Sequence, residues 1–161
     1  MWFNLDVCGI MVKLQINKYH PTSDEEGNEW YSHWCEVDYS FTSKNWLNYH
    51  GEKDEVLLSG EVEMLEEALT KLLRDQLNEV KVFGCIEPDF KFVLHPKRDL
   101  RKEGVICAPG LEIADIYLEW KIYFWDDGLT PNHLTLVMDR DEIRAFRDYL
   151  SEIIRPKLKQ L

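Results

Sequence analysis

The sequence predicts an α+β fold in which two helices pack on one face of an antiparallel β-sheet. Several short segments alternate between apolar and polar residues, as half-buried strands do. Two longer segments, at about 59–78 and 139–155, place apolar residues at helical spacing. Turn residues separate consecutive strands, which favours hairpins and therefore antiparallel pairing.

The strands follow from this alternation. Val12, Leu14 and Ile16 predict the first strand, and residues 35–41 predict the second. We expect Ser43–Gly51 to form a turn or hairpin loop. A third strand is predicted to end at Leu58. Four further strands are predicted to cover residues 80–83, 90–94, 116–124 and 134–138.

Both helices have recognisable starts. Ser59 is the predicted N-cap of the first helix, and Glu61 and Glu63 follow in its first turn, where the helix dipole favours carboxylates. Asp139 is the predicted N-cap of the second helix, and Glu142 completes a capping-box pattern three residues later.

A shift of 81 residues superposes the apolar positions of the two helices. Val62 falls on Ile143 and Leu65 on Phe146, and each helix follows a predicted hairpin. The chain can therefore be interpreted as a ββα-ββα pseudo-repeat. The alternative is that any two amphipathic helices align on their apolar positions, and the sequence leaves both interpretations open.

Length and charge limit the classes of protein. A chain of 161 residues is expected to form a single domain, with residues 1–10 as a candidate N-terminal extension. The net charge is −11, and residues 21–75 hold fourteen Asp and Glu against four Lys and Arg. Such a field repels nucleic acid and anionic membranes and attracts basic proteins. We therefore expect a basic protein partner, with no nucleic acid and no membrane; the sequence does not predict the oligomeric state.

The four cysteines form no CxxC pair, which is typical of thiols in a reducing compartment. The N-terminus lacks the basic segment of a signal peptide, and no apolar run reaches the ~20 residues that span a bilayer. We expect a cytoplasmic protein.

The sequence carries no recognisable catalytic or cofactor motif, and we expect a non-enzymatic protein without cofactor or metal. The glycines form no phosphate-binding loop, and neither GxSxG nor HExxH occurs. His33 and Cys35 share a strand face and could hold zinc with Cys85 or His95, but close paired spacings are missing. A carboxylate pair for acid-base chemistry could come from a further set, which we expect to be solvated: Glu87, Asp89, Asp115 and Glu119.

A partner-binding surface is predicted on the sheet face that the helices leave open. Aromatic side chains there would anchor a partner, and carboxylates would attract a basic one. The alternative is that the aromatic residues only support cross-strand pairing. The predicted surface comprises Glu36, Asp38, Asp115, Tyr117, Glu119, Tyr123 and Trp125.

The order of features over residues 11–155 resembles the WapI-type immunity proteins of bacterial polymorphic and contact-dependent toxin systems. The resemblance lies in Asn28-Glu29-Trp30, Trp34-Cys35-Glu36-Val37, the helix with Leu65 and Leu69, Glu87-Pro88-Asp89-Phe90-Lys91-Phe92, Leu118–Phe124, Leu136 and the helix with Phe146. It implies a cytoplasmic antitoxin that neutralises a secreted toxin encoded beside it, with no catalytic residues to carry over. The alternative is a small-ligand-binding protein or enzyme with a site in the 96–114 loop region.

Overall fold

The computed structural model describes residues 1–21 and 33–158, the side chains of the last three excepted. These residues form ten strands, two α-helices and one short 3₁₀ helix at Leu100–Glu103. The bounds are β1 Phe3–Val7, β2 Ile10–Asn17, β3 Trp34–Ser43, β4 Leu47–Leu58, α1 Ser59–Leu73, β5 Lys81–Gly84, β6 Phe90–His95, β7 Arg98–Asp99, β8 Ile113–Ala114, β9 Tyr117–Trp125, β10 Leu129–Met138 and α2 Arg140–Leu158.

The strands form antiparallel sheets, which confirms the predicted α+β class. The first sheet has the order β1-β2-β3-β4 and the second the order β10-β9-β6-β5, while β7 and β8 pair separately. The prediction of a single sheet is therefore wrong in this respect. Both large sheets bury their apolar faces in the same core, so the alternation along the chain is the same as for a single sheet.

The core joins both sheets and both helices. Phe41 of β3 and Trp120 of β9 lie edge to face with ring centroids 5.4 Å apart, and Phe146 of α2 stacks on Trp120 at 5.1 Å. Helix α1 contacts β4 and β6, and α2 contacts β1, β9 and β10. Neither α1 nor α2, the helices of the described residues, is long and apolar enough to cross a membrane.

The two halves of the chain repeat one plan. Each half has four strands of a large sheet followed by a helix, where the sequence analysis predicted a ββα unit. The 81-residue shift extends to the central strands, because the buried Val37, Tyr39 and Phe41 correspond to the buried Leu118, Trp120 and Ile122. The helix starts also correspond. The backbone N–H of Leu58 donates to Glu61, and that of Asp139, shifted by 81 residues, donates to Glu142.

Three local features differ from those that the sequence predicts. The N-cap of α1 is Leu58, and the Ser59 hydroxyl accepts a hydrogen bond from the His20 backbone instead. Strand β4 begins at Leu47, inside the expected hairpin loop, because its polar first half lies at the sheet edge, where polar side chains remain solvated. Residues 3–7 form β1, an edge strand paired with β2.

Candidate partner-binding surface

An open cleft of about 380 Å³ lies between the β4 edge and the end of β9. Its walls combine aromatic rings with two carboxylates. The cleft, called here the Asp89 cleft, is lined by Tyr39, Tyr49, His50, Asp54, Val56, Asp89 and Trp125.

An irregularity in β4 brings Asp54 into this wall. Val37 pairs with Asp54 and Tyr39 with Gly51, so β4 has an additional residue between these pairs, and Lys53 takes a positive φ of 54°. A Cβ on Gly51 would lie 2.1 Å from Asp54 Oδ2 and 2.5 Å from Tyr39 Cζ. Glycine therefore lets the Tyr39 ring and the Asp54 carboxylate lie directly over the strand, where the Tyr39 hydroxyl donates to Asp54 Oδ2 at 3.1 Å.

Asp89 is the most buried acid of the cleft, with 6% of its surface exposed. Burial raises the pKa of its carboxyl, a hydrogen bond from the Trp125 side chain opposes this rise, and the neighbouring charges of Glu87 and Asp54 add to it. The Asp89 carbonyl accepts a hydrogen bond from the Tyr123 N–H at 2.9 Å. This hydrogen bond holds Asp89 at the start of β6, beside Trp125, which is 44% exposed.

Glu36 and Asp38 lie half-buried on the outer face of the first sheet. The Asp38 carboxylate accepts hydrogen bonds from Lys53 N at 2.7 Å and from Asn17 Nδ2 at 3.0 Å, while Glu36 pairs with Lys18. A second cavity of about 380 Å³ borders Asp38 and shares Tyr39 and His50 with the Asp89 cleft. The acidic part of the predicted surface thus adjoins the cleft across β4.

Tyr117, Glu119 and Tyr123 lie half-buried on β9 of the second sheet. The His95 ring stacks on Tyr117 with centroids 4.0 Å apart, and His95 Nε2 lies 3.0 Å from Glu119 Oε2. Tyr123 lies against the ring of His133, with centroids 5.0 Å apart. These cross-strand partners are those expected if the aromatic residues support the sheet, the alternative that the sequence left open.

Asp115 belongs to an ion-pair cluster. Arg140 Nη2 lies 2.6 Å from Asp115 Oδ1 and 2.8 Å from Asp75 Oδ1, and Arg140 Nη1 donates to the Leu73 carbonyl at 3.0 Å. Hydrogen bonding to Arg140 lowers the pKa of Asp115 to about 2. The charge of this carboxylate is therefore compensated within the protein.

The seven predicted residues lie in four separate places. Trp125 lines the cleft, and Asp115 belongs to the Arg140 cluster. Two residues, Glu36 and Asp38, lie on the first sheet, and three lie on β9 of the second: Tyr117, Glu119 and Tyr123. Sequence reasoning missed Asp54, Tyr39 and Tyr49 and expected Asp89 to be solvated. One signal was available for Asp54, because a glycine within a strand often marks an irregularity or a close approach.

The structure also bears on the metal site and the small-ligand site that the sequence left open. Within residues 1–21 and 33–158, no three His, Cys, Asp or Glu side chains lie close enough to hold a metal ion. A cavity of about 440 Å³ borders the 96–114 region, where Lys97 pairs with Asp75 at 3.5 Å. Arg98 and Asp99 also line it, and their charges pair locally with Glu103 and Arg101.

The protein is of the α+β class, and its cleft combines aromatic rings with two carboxylates. Comparison with known families agrees with the resemblance noted in the sequence. The chain belongs to the immunity protein WapI-like family, whose model matches residues 6–157. No curated protein matches the sequence.

Proposed function

We propose that this protein is an immunity protein that neutralises a cognate bacterial toxin in the cytoplasm by binding it directly, without catalysis. Membership of an immunity protein family is the observation that carries the proposal. The net charge of −11 supports a basic toxin domain as the partner, because opposite fields accelerate encounter and orient the two proteins.

The acidic residues of β3 and β4 support a location for the interface. Glu36, Asp38 and Asp54 are half-buried around the β4 edge, and Glu52 and Glu55 are exposed on β4. On the second sheet, Lys91 pairs in register with Lys121 beside Glu119, which makes that face less suited to a basic partner. We therefore place the main contact at the β4 edge and the Asp89 cleft, with Trp125 as the aromatic anchor.

The decisive experiment uses the toxin domain encoded beside this gene. Purified toxin and immunity protein should co-elute from a size-exclusion column, and titration calorimetry should show an affinity that falls with added salt. Trp125→Ala should weaken binding at least tenfold. Trp46→Ala is the matched control, because Trp46 is 66% exposed and lies at the β3–β4 turn outside the cleft.

The possible outcomes separate the function from the surface. Failure of the wild-type protein to bind or inhibit the neighbouring toxin would overturn the proposed function. Unchanged affinity in Trp125→Ala would leave the function standing and exclude Trp125 as an anchor. If Tyr117→Ala abolishes binding and Trp125→Ala does not, the interface lies on the second sheet instead.

The cavity beside the 96–114 region supports a second candidate, a small-ligand function. A thermal-shift screen with charged metabolites tests it. A ligand whose stabilisation is lost in Lys97→Ala, while toxin binding is unchanged, would favour this candidate.

A further inference from the structure

The Asp89 cleft contains a buried carboxyl group that has no cationic partner among the described residues. Asp89 lies nine-tenths or more buried, and no Lys, Arg or His of residues 1–21 and 33–158 forms an ion pair with its carboxylate. Asp54, the second acid of the cleft, interacts with the neutral Tyr39 hydroxyl. Because a carboxylate is costly to bury without a partner, a cation entering the cleft would stabilise the ionised form of Asp89.

The walls of the cleft favour an organic cation. Tyr39, Tyr49 and Trp125 supply aromatic surface, which binds a cation through the ring faces. A metal ion would require several close ligands, and the described residues hold no group of three suitable side chains. The cleft is open at the surface, and its volume of about 380 Å³ can accept the end of one long side chain.

We propose that the Asp89 cleft is the receptor for one arginine side chain of the toxin. Its guanidinium pairs with Asp89 and Asp54 and lies against Trp125. Arginine fits better than lysine because its planar group can donate to two carboxylates and stack on an aromatic ring at the same time. This inference rests on the proposed function and assigns the partner chemistry of that surface.

A small probe tests the cleft without the toxin. Nα-acetyl-arginine amide is titrated into ¹⁵N-labelled protein, and the Trp125 indole resonance, assigned with Trp125→Phe, is followed by NMR. The resonance should shift in a saturable way. Nα-acetyl-citrulline amide, the neutral isostere, should cause no shift, and the lysine derivative should bind several-fold more weakly.

Variants identify the carboxylates. Asp89→Asn keeps the shape and the acceptor for Trp125 and should weaken binding of the arginine probe at least tenfold. Asp54→Asn serves as a second variant if Asp89→Asn fails to fold, as judged by near-UV circular dichroism. Asp148→Asn removes the same charge from exposed Asp148 on α2, where it pairs with Arg147, and should leave binding unchanged.

The same variants are then tested with the toxin. Asp89→Asn should weaken the complex at least tenfold, and one arginine variant of the toxin should show no further loss when combined with it. Equal binding of the citrulline and arginine probes, or equal toxin affinity of wild type and Asp89→Asn, would overturn the arginine receptor while leaving the immunity function intact. Absence of toxin binding by the wild type would instead refute the proposed function.

Discussion

At the scale of single residues, Arg140 connects parts of the chain that are distant in sequence. Its guanidinium reaches Asp75 and the Leu73 carbonyl at the end of α1, and Asp115 ahead of β9. Its planar guanidinium donates to all three groups at once and directs two donors, Nε and Nη2, at the Asp115 carboxylate. The contribution of this cluster to stability is moderate, because Asp75 and Asp115 remain about half exposed and solvent screens the ion pairs.

The cluster predicts a pH-dependent effect of Asp115→Asn. The pKa of Asp115 is lowered to about 2 in the folded protein, against ~3.9 in an unfolded chain. The ionised carboxylate therefore stabilises the fold above pH ~4, and this contribution is lost as the pH falls toward 2. Urea unfolding should show a loss of about 1 kcal/mol at pH 7 and almost none near pH 2.

Arg144→Ala is the control for this experiment, because Arg144 pairs with Asp141 within one exposed turn of α2. Its effect on the free energy of unfolding should stay within about 0.5 kcal/mol. A loss in Asp115→Asn that persisted undiminished at pH 2 would contradict the role given to the ionised carboxylate.

At the scale of elements, equivalent positions in the two halves have different surroundings. Glu61 and Glu142 both accept the N–H of the N-cap residue of their helix. Glu61 is also 4% exposed and accepts the Ile86 N–H at 2.6 Å, which ties the start of α1 to the β5–β6 connection. Glu142 makes its contact at the surface.

This difference predicts unequal effects of the same substitution. Glu61→Ala should destabilise the protein by about 2–3 kcal/mol, because two backbone donors lose their acceptor. Glu142→Ala should cost about 1 kcal/mol or less, because water can replace the carboxylate. Chemical denaturation of both variants checks this, and equal losses would contradict a special role of Glu61.

Gly51 provides a second prediction at this scale. Gly51→Ala should destabilise the fold by about 1–3 kcal/mol, because its methyl group must displace Tyr39 and Asp54 from their positions over β4. Gly84→Ala is the matched strand control, since a Cβ there meets no atom within 4 Å. Thermal denaturation should show a clear decrease for the first variant and none for the second.

Some elements of the fold could be predicted from the sequence and others could not. The helices, the alternating strands and the Asp139–Glu142 capping box could be predicted, because each depends on residues close in sequence. The division into two sheets could not, since it depends on which strand edges pair. The Asp89 cleft depends on the same long-range packing, because β4 and the end of β9 supply its walls. In the sequence, Gly51 indicates an irregularity in β4 but not which side chains that irregularity positions.

At the scale of the whole molecule, Trp120 lies where the two sheets and α2 meet. Its ring contacts Phe41, Phe90, Phe92 and Phe146 at centroid distances of 5.1–5.4 Å. Among the described residues its buried indole N–H has no acceptor. The Trp120 side chain is thus held by apolar contacts with the surrounding rings.

We expect Trp120→Ala to destabilise the protein by about 3–5 kcal/mol, because a large cavity would open between both halves. Trp120→Phe should cost clearly less, since it keeps a ring and removes the unsatisfied donor. Urea unfolding followed by circular dichroism should give one transition for the wild type. Two separate transitions would show that the halves fold independently and contradict this role of Trp120.

The repeated plan has a consequence for how such a protein can change. In each half of the chain, one long connection joins the second and third strands of the large sheet. These connections are residues 18–33, between β2 and β3, and residues 96–116, between β6 and β9. The first carries four acidic residues and one basic residue, whereas four basic residues fall within 97–102 of the second. Tyr19 and Ile116, near the ends of these two ranges, belong to the core, so changes that spare the core must fall between the core residues. We expect members of this family to differ most in the charge of these two segments and least in the paired strands, which an alignment of family sequences would check.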